Sequence, residues 1–260
     1  MCTLALYFRV FDDYPLVVAA NRDEHYDRPS APPEVLATIP RIVAGTDLRA
    51  GGTWLGVNEH GFLAGILNRR SNGEPSQSSA TRSRGLLCLD LLNLESASQA
   101  RALIEREERD YQPFTLVFAD RTEAWAAINR NGSIETLRLG HGLHVFSSAA
   151  AHDERSEKKE RAYALFSALV PELADKAKDT SSWTSILANV LSDHTPGDMG
   201  ADRREAICVH GDVSGTVSSS ILIYSRRERG FQTLFCSGPP CQNSFDRFIF
   251  LNTDDRSAKT

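Results

Sequence analysis

The order of hydrophobic patterns along the chain (strands, helices, strands, helices, strands) predicts an α+β fold of two sheets flanked by helix layers. Two observations carry that expectation. Period-two apolar runs occupy both ends of the chain and a block in its middle, while helical spacing fills the stretches between them. No internal repeat or composition break interrupts the 260 residues, so residues 1–260 are expected to form a single domain.

Residues 3–10, TLALYFRV, place Leu4, Leu6, Phe8 and Val10 on one face, and DDYP at 12–15 supplies turn chemistry before LVVAAN returns as a second strand. The protein is therefore expected to open with a β-hairpin. Four prolines between Pro29 and Pro40 predict an extended surface loop. AGGTWLGVNEHGFLAGILN (50–68) gives two strands around Asn58–Gly61, the second apolar on both faces and so central in its sheet. The polar segment 69–84 is expected to be a mobile loop placed as a lid. GLLCLDLLNL and SASQARALIEREER predict two helices, the second opened by Ser96 and Gln99 and apolar along Ala100, Leu103 and Ile104. A meander of FTLVFA, EAWAAIN, SIETLRL and LHVFSS follows, with Asn131–Gly132 as a tight turn. Residues 153–192 are helical in composition, and EAICVHG, GTVSSSILIYS, FQTLFC and FDRFIFL return to strands.

Composition narrows the function. A net charge of −5, with no separate Lys/Arg-rich run, argues against nucleic-acid binding. The N-terminus lacks the basic, apolar and cleavage-site order of a signal peptide, and no apolar run approaches the ~20 residues that span a bilayer. A cytoplasmic location is the expectation. The five cysteines, an odd number in a chain of this size, do not suggest a disulfide framework.

Three groups carry candidate chemistry. Removal of Met1 would leave Cys2 with a thiol and an α-amine on one residue, and an amine with a pKa of about 7.7–8.0 is a competent base at neutral pH. The plainer reading of Cys2 is a small residue after an initiator Met. Asn21, Arg22, Asp23 and Glu24 end the strand that pairs with the one starting at Cys2, so an antiparallel hairpin delivers them to the thiol. Arg22 can lower the thiol pKa or bind a carboxylate, and Asp23 can orient the amine, yet parity sends the two to opposite faces unless the chain bends there. Their plainer reading is a solvated strand end with Arg22 paired to Glu24 or Asp27. Asn68, ending the apolar strand, suits an oxyanion donor or a turn. No metal site is expected: His141 and His144 have opposite parity, and Cys236 and Cys241 have no second Cys or His pair at zinc spacing, which leaves buried thiols or a local redox pair.

With MCT at the start, NRDE at 21–24, GGTWLGVNEHG at 51–61 and LNRR at 67–70, the sequence resembles the NRDE family, also called the transport and Golgi organisation family. The resemblance implies kinship with the N-terminal-nucleophile hydrolases of the penicillin V acylase and bile salt hydrolase branch. It implies a four-layer αββα sandwich of two antiparallel sheets flanked by helices, and cleavage of a linear amide. By the same resemblance Cys2 is the nucleophile, its freed amine the base, Arg22 and Asp23 the charged pair beside it, and Asn68 the oxyanion donor. Asn21, Glu24, Trp54 and Arg69 are then expected to border the substrate. Two departures stand out: Ser148 occupies the place of the acylase branch's second Asn, and no Arg matches its late arginine in GTVSSS. They imply a weaker oxyanion hole or a non-hydrolytic protein. The resemblance also implies an alternative, a binding or trafficking protein for haem or for a lipid or acyl ligand on the same fold, with Cys2 or one of seven histidines as haem's axial ligand.

Overall fold

The computed structural model describes residues 2–69, 81–130, 132–148, 156–177, 180–195 and 205–253. They fall into two compact units, one of residues 1–28, 141–223 and 233–248, the other of 29–140, 224–232 and 249–260.

The first unit is built on a six-stranded antiparallel sheet in the order β10-β1-β2-β11-β12-β13. Its strands are β1 (Thr3–Phe8), β2 (Leu16–His25), β10 (Gly142–Ser147), β11 (Ser214–Ser225), β12 (Gly230–Ser237) and β13 (Phe245–Asn252), of which residues 224–225, 230–232 and 249–252 fall in the second unit. The expected hairpin forms, with Thr3 opposite Asn21 and Phe8 opposite Leu16. The other edge of β1 takes β10, Thr3 facing Ser147. Three helices belong to this unit: α3 (Glu157–Ala168), α4 (Val170–Asp175) and α5 (Trp183–Leu191). α3 packs on β1 and β10, and α5 on β2. The odd-numbered residues Ala5, Tyr7, Val17 and Ala19 face Ala162, Phe166, Trp183 and Leu187 in one apolar cluster. Trp183 is fully buried between Phe11 and Tyr14, with ring centroids 4.9 and 5.0 Å away. Truncating a side chain of that size costs about 3–5 kcal/mol. The even-numbered Leu4, Leu6, Leu16 and Val18 are buried as well, so both faces of these strands are dry.

The second unit carries a seven-stranded antiparallel sheet in the order β3-β4-β5-β6-β7-β8-β9. The strands are β3 (Ser30–Thr38), β4 (Arg41–Asp47), β5 (Leu55–Asn58), β6 (Leu63–Asn68), β7 (Phe114–Ala119), β8 (Ala124–Arg130) and β9 (Ser133–Leu139). α1 (Arg84–Leu92) packs on β5 and β6, and α2 (Ala97–Ile104) on β7, β8 and β9. β6 lies between β5 and β7, the central position its two apolar faces predict. The α2 cap forms as read: Ser96 Oγ accepts from Gln99 N at 3.3 Å, and Gln99 Oε1 accepts from Glu95 N at 3.0 Å.

Three sequence expectations need correction. The proline-rich 29–40 stretch is an edge strand, β3, because prolines are tolerated where the outer N–H row needs no partner and where register shifts occur, as between Ala31 and Glu34. The meander stops at β9: LHVFSS becomes β10 and joins β1, after a chain reversal at Gly142, whose φ of 138° a side chain would resist. EAICVHG forms no strand beyond an isolated bridge from His210 to Gly215. The lid expected at 69–84 lies mostly outside the described residues, as does Asn131 of the turn before β9. Among the described residues, no helix is long and apolar enough to cross a membrane.

Candidate functional site

Cys2 stands just before β1 and is partly exposed. Continuing the hairpin register sets it opposite Arg22, and on the other side its carbonyl accepts from Ser148 N at 3.0 Å. The thiol lies against the main chain of Asp23. Asp23 N–H donates to Sγ at 3.4 Å, and the thiol donates to Asp23 O at 3.5 Å. β2 runs unbroken through His25, so the bend expected at Arg22–Asp23 is absent and strand parity holds. Asp23 therefore meets the thiol through its backbone.

The Asp23 carboxylate goes elsewhere. Its Oδ2 pairs with Lys158 Nζ of α3 at 3.1 Å, with both side chains almost fully buried at 2% and 0% exposure, and its Oδ1 accepts from Thr216 Oγ1 at 2.6 Å. Thr216 Oγ1 also accepts from Val209 N at 2.9 Å, joining β11 to the segment before it. Neither partner was found from sequence. Lys158 did leave a signal, because it stands on the buried stripe of α3 with Ala162 and Phe166, one and two turns on. A lysine at a core-facing helical position calls for a buried acid.

Asn21 is 2% exposed and held by three protein groups. Its Nδ2 donates to Leu191 O (2.8 Å) and Ile207 O (3.0 Å), and its Oδ1 accepts from Ser219 Oγ (2.6 Å). This ties β2 to the end of α5 and to the segment before β11. Arg22 is buried at 5% and sits 3.9 Å from Glu24, which also pairs with Arg28 at 3.5 Å. The Ser148 hydroxyl is buried with no hydrogen-bond partner among the described residues. Its N–H bonds the Cys2 carbonyl, and an orphaned hydroxyl on a residue so placed is the kind of group that a ligand satisfies.

Cys2, Arg22, Asp23, Asn21 and Glu24 thus come together in the first unit, with Ser148, Lys158 and Thr216 added. Asn68, Trp54 and Arg69 belong to the second unit. Asn68 ends β6 opposite Phe114 and is exposed. Trp54 is half-buried, its ring covering Gly45, where a Cβ would come within 2.5 Å of it. Arg69 follows β6, and its N–H donates to Pro113 O at 3.1 Å.

The cysteines are all free thiols. Cys236 donates to Gly238 O at 3.6 Å, whereas Cys241 meets Cys208 and His210 rather than Cys236. Cys208, His210 and Cys241 come together from separate segments, which motif spacing does not reveal.

Solved structures with this fold are N-terminal-nucleophile hydrolases. Penicillin V acylase from Agrobacterium tumefaciens superposes with a TM-score of 0.58 at 14% identity, covering 90% of this chain and 82% of that one. An N-acylethanolamine-hydrolyzing acid amidase orthologue from Caenorhabditis elegans gives 0.56 at 12% identity, covering 85% and 92%. A variant of conjugated bile acid hydrolase from Clostridium perfringens gives 0.55 at 10% identity, covering 98% and 97%. Such identities establish the fold alone. The family model for Transport and Golgi organisation 2 matches residues 1–233, and the chain belongs to that family. The human Transport and Golgi organization protein 2 homologue is 34% identical and the mouse homologue 31% identical over 145 residues, 52% of this chain and 51% of each relative. The chain spans about half the length of the curated relatives it matches.

Proposed function

We propose that the chain is an N-terminal cysteine amidohydrolase acting on a linear amide of a small molecule. The observation that carries this reading is the Cys2 thiol, partly exposed at a strand end and bonded by the Asp23 N–H at 3.4 Å. An N–H aimed at sulfur supports the negative charge an attacking thiolate bears. After loss of Met1, the α-amine of Cys2 takes the thiol proton as sulfur bonds to the amide carbon. The amine then delivers that proton to the departing nitrogen as the C–N bond breaks. Water attacks the thioester, the C–S bond breaks, and the acid and free thiol are released. Arg22 is the proposed charged neighbour of sulfur, and the Ser148 hydroxyl a proposed donor to the oxyanion. Asn21, Lys158 and Thr216 position β2 rather than touch substrate.

The test is turnover of a panel of acyl amides by wild type and by Cys2→Ala, with intact-mass detection of the acyl-enzyme. Turnover lost in the variant supports the reading; equal turnover in both overturns it. A second reading, carriage of haem or of a lipid or acyl ligand, rests on the same thiol, since cysteine sulfur is an axial ligand to haem iron. A saturable haem spectrum that Cys2→Ala abolishes, in a protein with no amidase turnover, would favour it.

A further inference from the structure

Within the first unit, four side chains that the Cys2 site does not use converge from three separate segments. His194 follows α5, Cys208 and His210 precede β11, and Cys241 lies between β12 and β13. Their ligand atoms all lie within 4.8 Å of one another. His194 Nε2 is 3.3 Å from His210 Nε2, Cys208 Sγ is 3.7 Å from Cys241 Sγ, and His210 Nε2 is 3.7 and 3.2 Å from the two sulfurs.

Hydrogen bonding cannot account for this crowding. His194 Nδ1 faces the Ser192 carbonyl at 2.9 Å, so it carries the proton and turns the Nε2 lone pair inward. His210 Nε2 then has three polar neighbours but only one proton or one lone pair with which to meet them. A cation at the centre satisfies all four donors at once. For tetrahedral zinc, with Zn–S of about 2.3 Å and Zn–N of about 2.0–2.1 Å, neighbouring ligand atoms fall about 3.8 Å (S to S), 3.3 Å (N to N) and 3.6 Å (S to N) apart. These four separations lie within about 0.4 Å of those values.

We propose that His194, Cys208, His210 and Cys241 form a structural zinc site. Two thiolates with two imidazoles in a tetrahedron is a donor set that selects zinc. On binding, one proton leaves each thiol, so the ion and the two thiolates are neutral together. The carbonyl of Ser192 is the outer partner that fixes the His194 tautomer.

The site clamps chain that braces the Cys2 strand. Cys208 N donates to Asp193 O at 2.8 Å, Ile207 O and Leu191 O hold Asn21, and Val209 N joins Thr216, the partner of Asp23. Zinc at this point therefore stabilises the framework of β2 without reaching the thiol itself.

The test is metal content of the full chain, purified without chelator from zinc-supplemented cells and measured by inductively coupled plasma mass spectrometry. One zinc per chain is expected in wild type, Cys2→Ala and Cys236→Ser. His194→Ala and Cys241→Ser, both at exposed positions, should lose that equivalent while keeping the wild-type circular dichroism spectrum. Cobalt in place of zinc should give a thiolate charge-transfer band and the visible bands of a tetrahedral ion. A chelator should lower the melting temperature of wild type and leave that of His194→Ala unmoved. Absence of bound zinc from the reduced protein, zinc retained in both ligand variants, or zinc lost in Cys2→Ala would each overturn the proposal. So would a Cys208–Cys241 disulfide as the sole state of the freshly purified protein.

Discussion

Replacing Lys158 with Met tests the buried pair on which the Asp23 segment rests. The Nζ–Oδ2 distance is 3.1 Å and the two side chains are 0% and 2% exposed, so water cannot replace the lost partner. Removing one member of such a pair strands the other and costs about 3–5 kcal/mol. At about 2–4 °C per kcal/mol for a domain of this size, the melting temperature should fall by about 6–20 °C. Asp23→Asn should be destabilising as well, while the double variant should be less damaged than the sum by about 1–3 kcal/mol, because neither charge is then left alone. The assay is chemical denaturation of the four proteins in one buffer. A Lys158→Met protein as stable as wild type, or a cycle additive within about 0.5 kcal/mol, would refute the reasoning.

Three further outcomes follow from side chains elsewhere in the structure. Ser148→Ala should leave stability unchanged or slightly raised, since it deletes a buried hydroxyl with no described partner, yet lower turnover of an active acyl amide, read as kcat beside a melting curve. Asn21→Leu should cost several kcal/mol, because Leu191 O, Ile207 O and Ser219 Oγ all lose their partner; denaturant midpoints would register it. In the second unit, hydrogen bonding from the Arg109 guanidinium at 2.7 Å holds the Glu107 carboxyl below its ordinary value of 4.5. The unfolded chain then binds that proton at higher pH than the folded one, so this contribution is complete above about pH 4.5 and fades as pH falls through the lower folded value. Arg109 is 50% exposed, so the acid-linked loss should be at most about 1 kcal/mol and should shrink in Arg109→Ala, where the main-chain N–H of residue 109 and the Tyr111 hydroxyl still bond the carboxylate, as pH-dependent denaturation would record.

The opening hairpin and its register were legible because alternation in TLALYFRV and LVVAAN leaves one pairing that buries both sets of apolar residues. That alone carried NRDE to residue 2, opposite Arg22. The direction of the Asp23 carboxylate was not legible, since it depends on Lys158, a residue 135 positions away that only the tertiary fold brings to β2. β3 was hidden by prolines that an edge strand accommodates, and the transfer of β10 to the other sheet by the rule that consecutive strands pair. The His–Cys cluster was invisible for a related reason: its four donors come from three segments that only the tertiary fold brings together.

The central claim is that Cys2 is a nucleophile freed at the N-terminus. Intact-mass spectrometry of the purified protein, before and after incubation with a reactive linear acyl amide, tests it most directly. The account predicts a chain that begins at Cys2 and gains one acyl mass on that residue, an adduct missing from Cys2→Ala. A chain that keeps Met1, or an adduct that forms equally well without the Cys2 thiol, would contradict it.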